Sequence, residues 1–402
     1  MKRILSLILL AHSGLVLADD WPNWRGPRHD GVSLEKGWTP NFNKVAWRAQ
    51  VGVGFSSFAV AEGRVFTLGC TGKKRGNQET FYVMNASTGK MLWKDTYPAA
   101  LVDYLHEGGP CATPTVDGSN VIGQSKDGRL TRYSIGSGRK IWTVNLMEKS
   151  GLARPPEWGF SASPLVLGDL LIVEATFTLA LNKETGKEIW RSKVYRPAYG
   201  SPVAFKFKDK TYVATLKTEG LVILDAVTGK TVAFQDWRTS FRTNSTTPHI
   251  IGNRIFLSTG YKRGCALFEF TGSGLKEVYA NRDLSNHFNN SVLIGGFLYG
   301  FDGNTHMFGS KHLLCMRLAD GKVQWRQEGY RCGSLMAVND QLLVLGEKGN
   351  LAVGPASPKE FKPKAESQVL KGRCWTVPVL ANGRIYCRNA VGDLLCLDVR
   401  GP

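Results

Sequence analysis

The sequence predicts an all-β chain: an eight-bladed β-propeller of four-stranded antiparallel blades, closed by an N-terminal strand that completes the last blade. Three observations lead there. A turn-plus-strand phrase recurs: Asn85-Ala-Ser-Thr-Gly-Lys-Met-Leu-Trp93, Asn182-Lys-Glu-Thr-Gly-Lys-Glu-Ile-Trp190 and Asp225-Ala-Val-Thr-Gly-Lys-Thr-Val-Ala-Phe234, with looser copies at Ser134–Trp142 and Arg317–Trp325. A short apolar run, opened by Ser or Thr in all but the last copy, recurs eight times, beginning at Ser57, Thr113, Ser163, Ser201, Thr247, Ser291, Ser334 and Val377. The spacing is about 45 residues, a period that belongs to stacked or ring-closed repeats. Finally, the chain stops one strand short after Asp398, while Val45–Val51 reads as a fourth strand with no repeat before it.

One blade can be built from residues 161–190. Pro164 opens the first strand, where a missing N–H is harmless. Gly168-Asp169 turns into Leu170–Glu174, and Phe177–Asn182 forms the third strand. Thr185-Gly186 supplies the positive φ of a tight hairpin, and Glu188–Arg191 is the outer strand. Trp47, Trp93, Trp142, Trp190 and Trp325 share one place in the outer strand, so they are expected to bury area between neighbouring blades rather than to bind a ligand. Blade 7 lacks both the Thr-Gly-Lys turn and the Trp and carries Pro355, Pro358 and Pro363, which predicts a short or irregular outer strand.

Outside the repeat, Met1-Lys2-Arg3, the apolar run Ile4–Leu10 and Val16-Leu17-Ala18 form a secretory signal peptide over residues 1–18, followed by an arm over 19–43 and the propeller over 44–402. The expected location is periplasmic or secreted, with no transmembrane segment and no cysteine at the cleavage site to carry a lipid anchor. The net charge is +18. In an exported chain it points to anionic lipids, acidic glycans, an acidic protein face or a solvated surface, and away from nucleic acid. The eight cysteines include no C-x-x-C pair. Cys332 and Cys374 stand about one blade apart and could pair, whereas Cys315, Cys387 and Cys396 read as small buried hydrophobes.

The segments that enter each first strand converge at one end of the ring, so a site is expected there. They carry the candidate binding residues Glu107, Trp158, Arg242, His287, Asn289, Arg331, Arg373 and Trp375. Guanidinium groups with aromatic and amide neighbours suit a planar or anionic ligand, an anionic glycan or an acidic loop of an envelope protein. His306 and His312 lack a metal-ligand spacing and are expected in loops, and no metal site is assigned. No Gly-x-Ser-x-Gly elbow or P-loop is present.

The repeated Asx-Ala-x-Thr-Gly-Lys-x-x-Trp phrase resembles the pyrroloquinoline-quinone (PQQ)-like β-propeller superfamily over residues 44–402. That superfamily holds both quinoprotein alcohol dehydrogenases and the outer-membrane β-barrel assembly lipoprotein. The opening Asp20-Trp-Pro-Asn-Trp-Arg-Gly-Pro-Arg-His-Asp-Gly-Val-Ser33 is further similar to secreted propellers of planctomycetes and their relatives. Resemblance to the dehydrogenases implies PQQ with Ca²⁺, held beside a vicinal Cys-Cys disulfide, as an alternative; no two cysteines adjoin in this chain. Resemblance to the assembly protein implies a non-enzymatic binding or scaffolding module of the cell envelope with no cofactor, which is the favoured expectation.

Overall fold

The computed structural model describes residues 19–72, 77–307 and 309–401. The signal peptide expected over residues 1–18 lies outside the described residues. Eight antiparallel sheets follow one another along the chain, at 59–98, 115–145, 165–191, 203–236, 249–281, 292–327, 334–368 and 379–398. Each is a meander of four strands except the last, which has three of its own. Its fourth is Val45–Gln50, paired antiparallel to Asp393–Asp398 in the register Trp47↔Cys396 and Gln50↔Asp393. The expected closure of the ring is therefore present. All eight first strands fall within the predicted runs, although in blades 2, 3, 4, 5 and 8 the strand begins only after the proline, in blade 3 at Leu165 after Pro164. The outer strand of blade 7 is the four-residue Ala365–Gln368, short as expected.

The repeated phrase acts twice. In its turn, Asn85 Oδ1 accepts from the backbone N–H of Ser87 and Thr88 and from the Thr88 hydroxyl, and Asn182 and Asp225 repeat the same set. In its outer strand, each tryptophan docks on the next blade. Trp47 Nε1 donates to the Ala86 carbonyl at 3.0 Å, Trp93 to Ile135 at 2.8 Å, Trp142 to Lys183 at 3.0 Å and Trp190 to Ala226 at 3.1 Å. The indole lies on the glycine of that blade's turn. Gly89 adopts φ +69, and a Cβ there would stand 2.6 Å from the Trp47 ring. Glycine is thus required both for the turn and for the approach of the indole. Trp325 keeps its donor bond, to Ser357, although blade 7 has lost the turn. These five tryptophans are the interblade residues the repeat predicts.

The arm is more than a leader to the first blade. Trp21 bridges Val60 in blade 1, and Pro22 accepts from the Val116 N–H of blade 2. Trp24 Nε1 donates to Thr247 Oγ1 at the head of blade 5, and Arg25 is buried against His249 of blade 5 and the Ser291 carbonyl before blade 6. Val32–Ser33 adds a parallel strand to Ala337–Val338 in blade 7, and the buried Glu35 carboxylate accepts from Gly383 of blade 8. The arm therefore crosses the ring axis on the face opposite the blade-entry segments and touches six blades.

A single short helix, Leu146–Ser150, is present among the described residues, capped by the Asn145 side chain. No helix there is long and apolar enough to cross a membrane. All eight cysteines are free, and seven are buried. Cys332 and Cys374 do not pair; their thiols turn to the carbonyls of Gly303 and Gly372. His312 opens the strand His312–Arg317 rather than lying in a loop.

Candidate functional site

The blade-entry segments meet around a central cavity of about 180 Å³. Its upper wall is aromatic. Phe55 stacks on Trp375 with ring centroids 5.2 Å apart, Phe288 lies 4.8 Å from Trp375, and Trp158 and Tyr199 complete the wall. Below them comes a collar of hydroxyls. Ser163, Ser201 and Thr247 each stand two residues ahead of a first strand, which brings their side chains to the same depth of the ring. Trp24, fixed by its bond to Thr247, forms the floor. The arm thus contributes Trp24 to the lining of the central cavity.

Three histidines line the pocket. His106 packs between Trp158 (5.2 Å) and Trp375 (5.9 Å), and His306 lies 5.6 Å from Trp375. His287 meets the Tyr261 hydroxyl through Nε2 at 3.1 Å. Burial, with the positive charges of Lys126 and Arg373 and the neighbouring His306, lowers the His106 pKa to about 4. Burial lowers His287 to about 3, and His306 is lowered for the same first reason. All three rings are neutral at pH 7. The Gly108 N–H donates to His106 Nδ1 at 3.0 Å, which leaves the proton of the neutral ring on Nε2.

Of the residues expected at this end, Trp158, His287, Asn289 and Trp375 line the pocket. Arg373 and Glu107 pair at its edge at 2.7 Å, with the guanidinium 4.5 Å over the Trp375 ring. Arg331 pairs with Glu347 at 3.1 Å, and Glu347 also accepts from Trp375 Nε1 at 3.1 Å. Trp375 is therefore gripped on its face by one ion pair and on its edge by the other. Arg242 is exposed, beside Phe241, whose ring lies 4.8 Å from Tyr261. Arg242 (φ 56) and Arg331 (φ 54) both hold the left-handed backbone conformation, which costs an L residue about 1–2 kcal/mol. None of the three arginines lines the pocket itself.

Several wall residues were not among the expected set. Phe55, His106 and Tyr199 sit on entry segments, where position alone could have marked them. Tyr261 and His306 come from loops between second and third strands, at 260–263 and 303–311, and the length of the latter between Asp302 and His312 was the available signal. Trp24 had none, because its place depends on how the arm folds back.

The donor set does not fit a calcium-bound quinone. Ca²⁺ takes hard oxygen ligands, chiefly carboxylates. The wall carries no Asp or Glu, and the nearby Glu107 and Glu347 are each committed to an arginine. Among the described residues no group of three or more His, Cys, Asp or Glu is placed to hold a metal ion.

Comparison with known proteins agrees with this architecture. The family model described as outer membrane protein assembly factor BamB matches residues 36–240 and 159–327. A search of curated proteins finds no match. Among solved structures, BamB from Moraxella catarrhalis superposes with a TM-score of 0.62 at 15% identity, covering 88% of this chain and 100% of that one. A europium-containing methanol dehydrogenase gives 0.65 at 11% identity, covering 93% and 90%. The quinohemoprotein alcohol dehydrogenase from Comamonas testosteroni gives 0.62 at 14% identity, covering 95% and 81%. At these identities the structural likenesses establish the fold, and the family match, with its repeat and ring closure, places the chain: it belongs to the BamB-type family of PQQ-like β-propellers.

Proposed function

We propose that this chain is a non-enzymatic binding module of the cell envelope, exported to the periplasm or secreted, whose ligand or partner loop enters at the propeller mouth. The observation that carries the reading is the convergence of the blade-entry segments on one aromatic pocket, lined also by Trp24 and edged by the Arg373–Glu107 and Arg331–Glu347 pairs. Supporting it, two mouth arginines hold a backbone conformation that the fold must over-determine, and such strain gathers where a chain binds or switches. The family's description as an outer membrane protein assembly factor supports an envelope role. In this reading the pocket holds the bound group, while Arg242, Arg331 and Arg373 frame the entrance.

Capture from envelope extracts and on a glycan array tests the reading, with the mature protein beside an Arg331→Ala/Arg373→Ala double variant. Both arginines belong to the ion pairs that hold Trp375 at the pocket wall, so the double variant releases that ring and is expected to bind at least about tenfold more weakly. A double variant that melts like the parent and keeps full affinity would place the binding site elsewhere.

A further inference from the structure

Resting on the mouth as the binding site, we propose that the pocket takes a neutral, hydroxyl-bearing ring, a saccharide unit, in preference to an anion, a cation or a purely apolar molecule. The wall excludes the alternatives one by one. It contains no Asp, Glu, Lys or Arg, and its histidines are uncharged at neutral pH. A charged ligand would leave water without a counter-charge, at a cost of several kcal/mol. An anion would have to draw Arg331 or Arg373 from the carboxylate each already holds. A cation would enter a chain whose net charge is +18.

An apolar ligand fails for another reason. Ser163 and Ser201 accept backbone N–H bonds from the preceding blades, so their hydroxyl protons remain free to donate. Ser245 makes no side-chain hydrogen bond among the described residues, and Asn289 spends its Nδ2 on Gly333, leaving Oδ1 to accept. An apolar occupant would desolvate these groups without satisfying them, at about 1–3 kcal/mol each. A pyranose meets both halves of the wall. Its C–H face lies against Trp158 and Phe55, which stay partly exposed, and its equatorial hydroxyls reach the Ser/Thr collar. The size agrees. With about 10–15 Å³ of such space for each water, 180 Å³ holds about a dozen non-hydrogen atoms, roughly those of one hexose.

The experiment is tryptophan fluorescence and calorimetric titration of the mature protein with glucose, N-acetylglucosamine and cellobiose, against glucuronate, choline and PQQ. Saturable quenching by at least one neutral sugar is expected, with an affinity unchanged between low and high salt. Trp158→Ala and Ser245→Ala, neither of which removes a buried structural hydrogen bond, are each expected to weaken it at least tenfold. Tighter binding of glucuronate, choline or PQQ than of every neutral sugar overturns the inference. So does the absence of sugar binding when mouth variants still abolish capture of an envelope partner, and in that case the mouth remains the binding site. Mouth variants that leave partner capture untouched overturn both readings.

Discussion

The outer belt of the ring and its mouth are both built from aromatic residues, yet they are organised on opposite principles. In the belt, Trp47, Trp93, Trp142 and Trp190 each repeat one contact: an indole N–H on a carbonyl and a ring on a turn glycine of the next blade. At the mouth no two aromatic residues share surroundings. Phe55 and Trp375 stack on each other, Tyr261 holds His287, and Trp24 arrives from the arm. Repetition suits a structural joint, because every blade faces the same packing problem. A recognition site needs different groups at different points of one ligand, and the loops of a repeat protein can vary without disturbing the joints.

The comparison breaks most severely if the joint that is not periodic in sequence fails. Removing residues 44–51 takes away the only partner of the Asp393–Asp398 edge. The ring then loses its closure and exposes an unpaired strand. Aggregated or unfolded protein is expected by size-exclusion chromatography and thermal melting; a monomer with the parent melting temperature would show that closure does not hold the ring.

A paired substitution sharpens the contrast between belt and mouth. Trp190 is buried and bonded to the Ala226 carbonyl, so Trp190→Ala should lower stability by about 3–5 kcal/mol. Trp158, half-buried at the pocket, should cost within about 1 kcal/mol when changed to Ala, while removing binding. Denaturant titration measures both, and similar losses for the two would mean that the mouth aromatics are structural as well.

A further contrast lies in the pH dependence. His106 and His287 have folded pKa values of about 4 and 3 against 6.5 for a free ring. The unfolded chain binds the protons that the folded one refuses, so their stability is complete above about pH 6.5 and drains as the pH falls toward 4 and 3. Glu35 and Glu79 act in the opposite sense. Burial raises each to about 7, so the folded chain holds their protons more tightly and their stability is lost as the pH rises from 4.5 through 7. A His106→Gln/His287→Gln protein keeps the glutamate effect and loses the histidine one. Its melting temperature should fall less steeply than the parent's between pH 6.5 and 4, and equal slopes would mean that these histidines are not held neutral by the fold.

How much of this was readable beforehand follows from what is local. The Asx-Thr-Gly turns, the eight strand openings, the missing last strand and the interblade tryptophans are all consequences of short-range chemistry repeated along the chain. Turn geometry and strand alternation depend on neighbours a few residues away, and the period carries the rest. The entry segments could be named for the same reason, and Trp158, His287, Asn289 and Trp375 do meet in one pocket. Which charges would be free could not be read that way. Glu107 and Arg373 are 266 residues apart, and only ring closure brings them together and removes both from the entrance's free charge. The floor is the extreme case. Trp24 has no repeat partner and no local signal, and it reaches Thr247, 223 positions away, because the arm folds back across an axis that exists only once eight blades have closed around it.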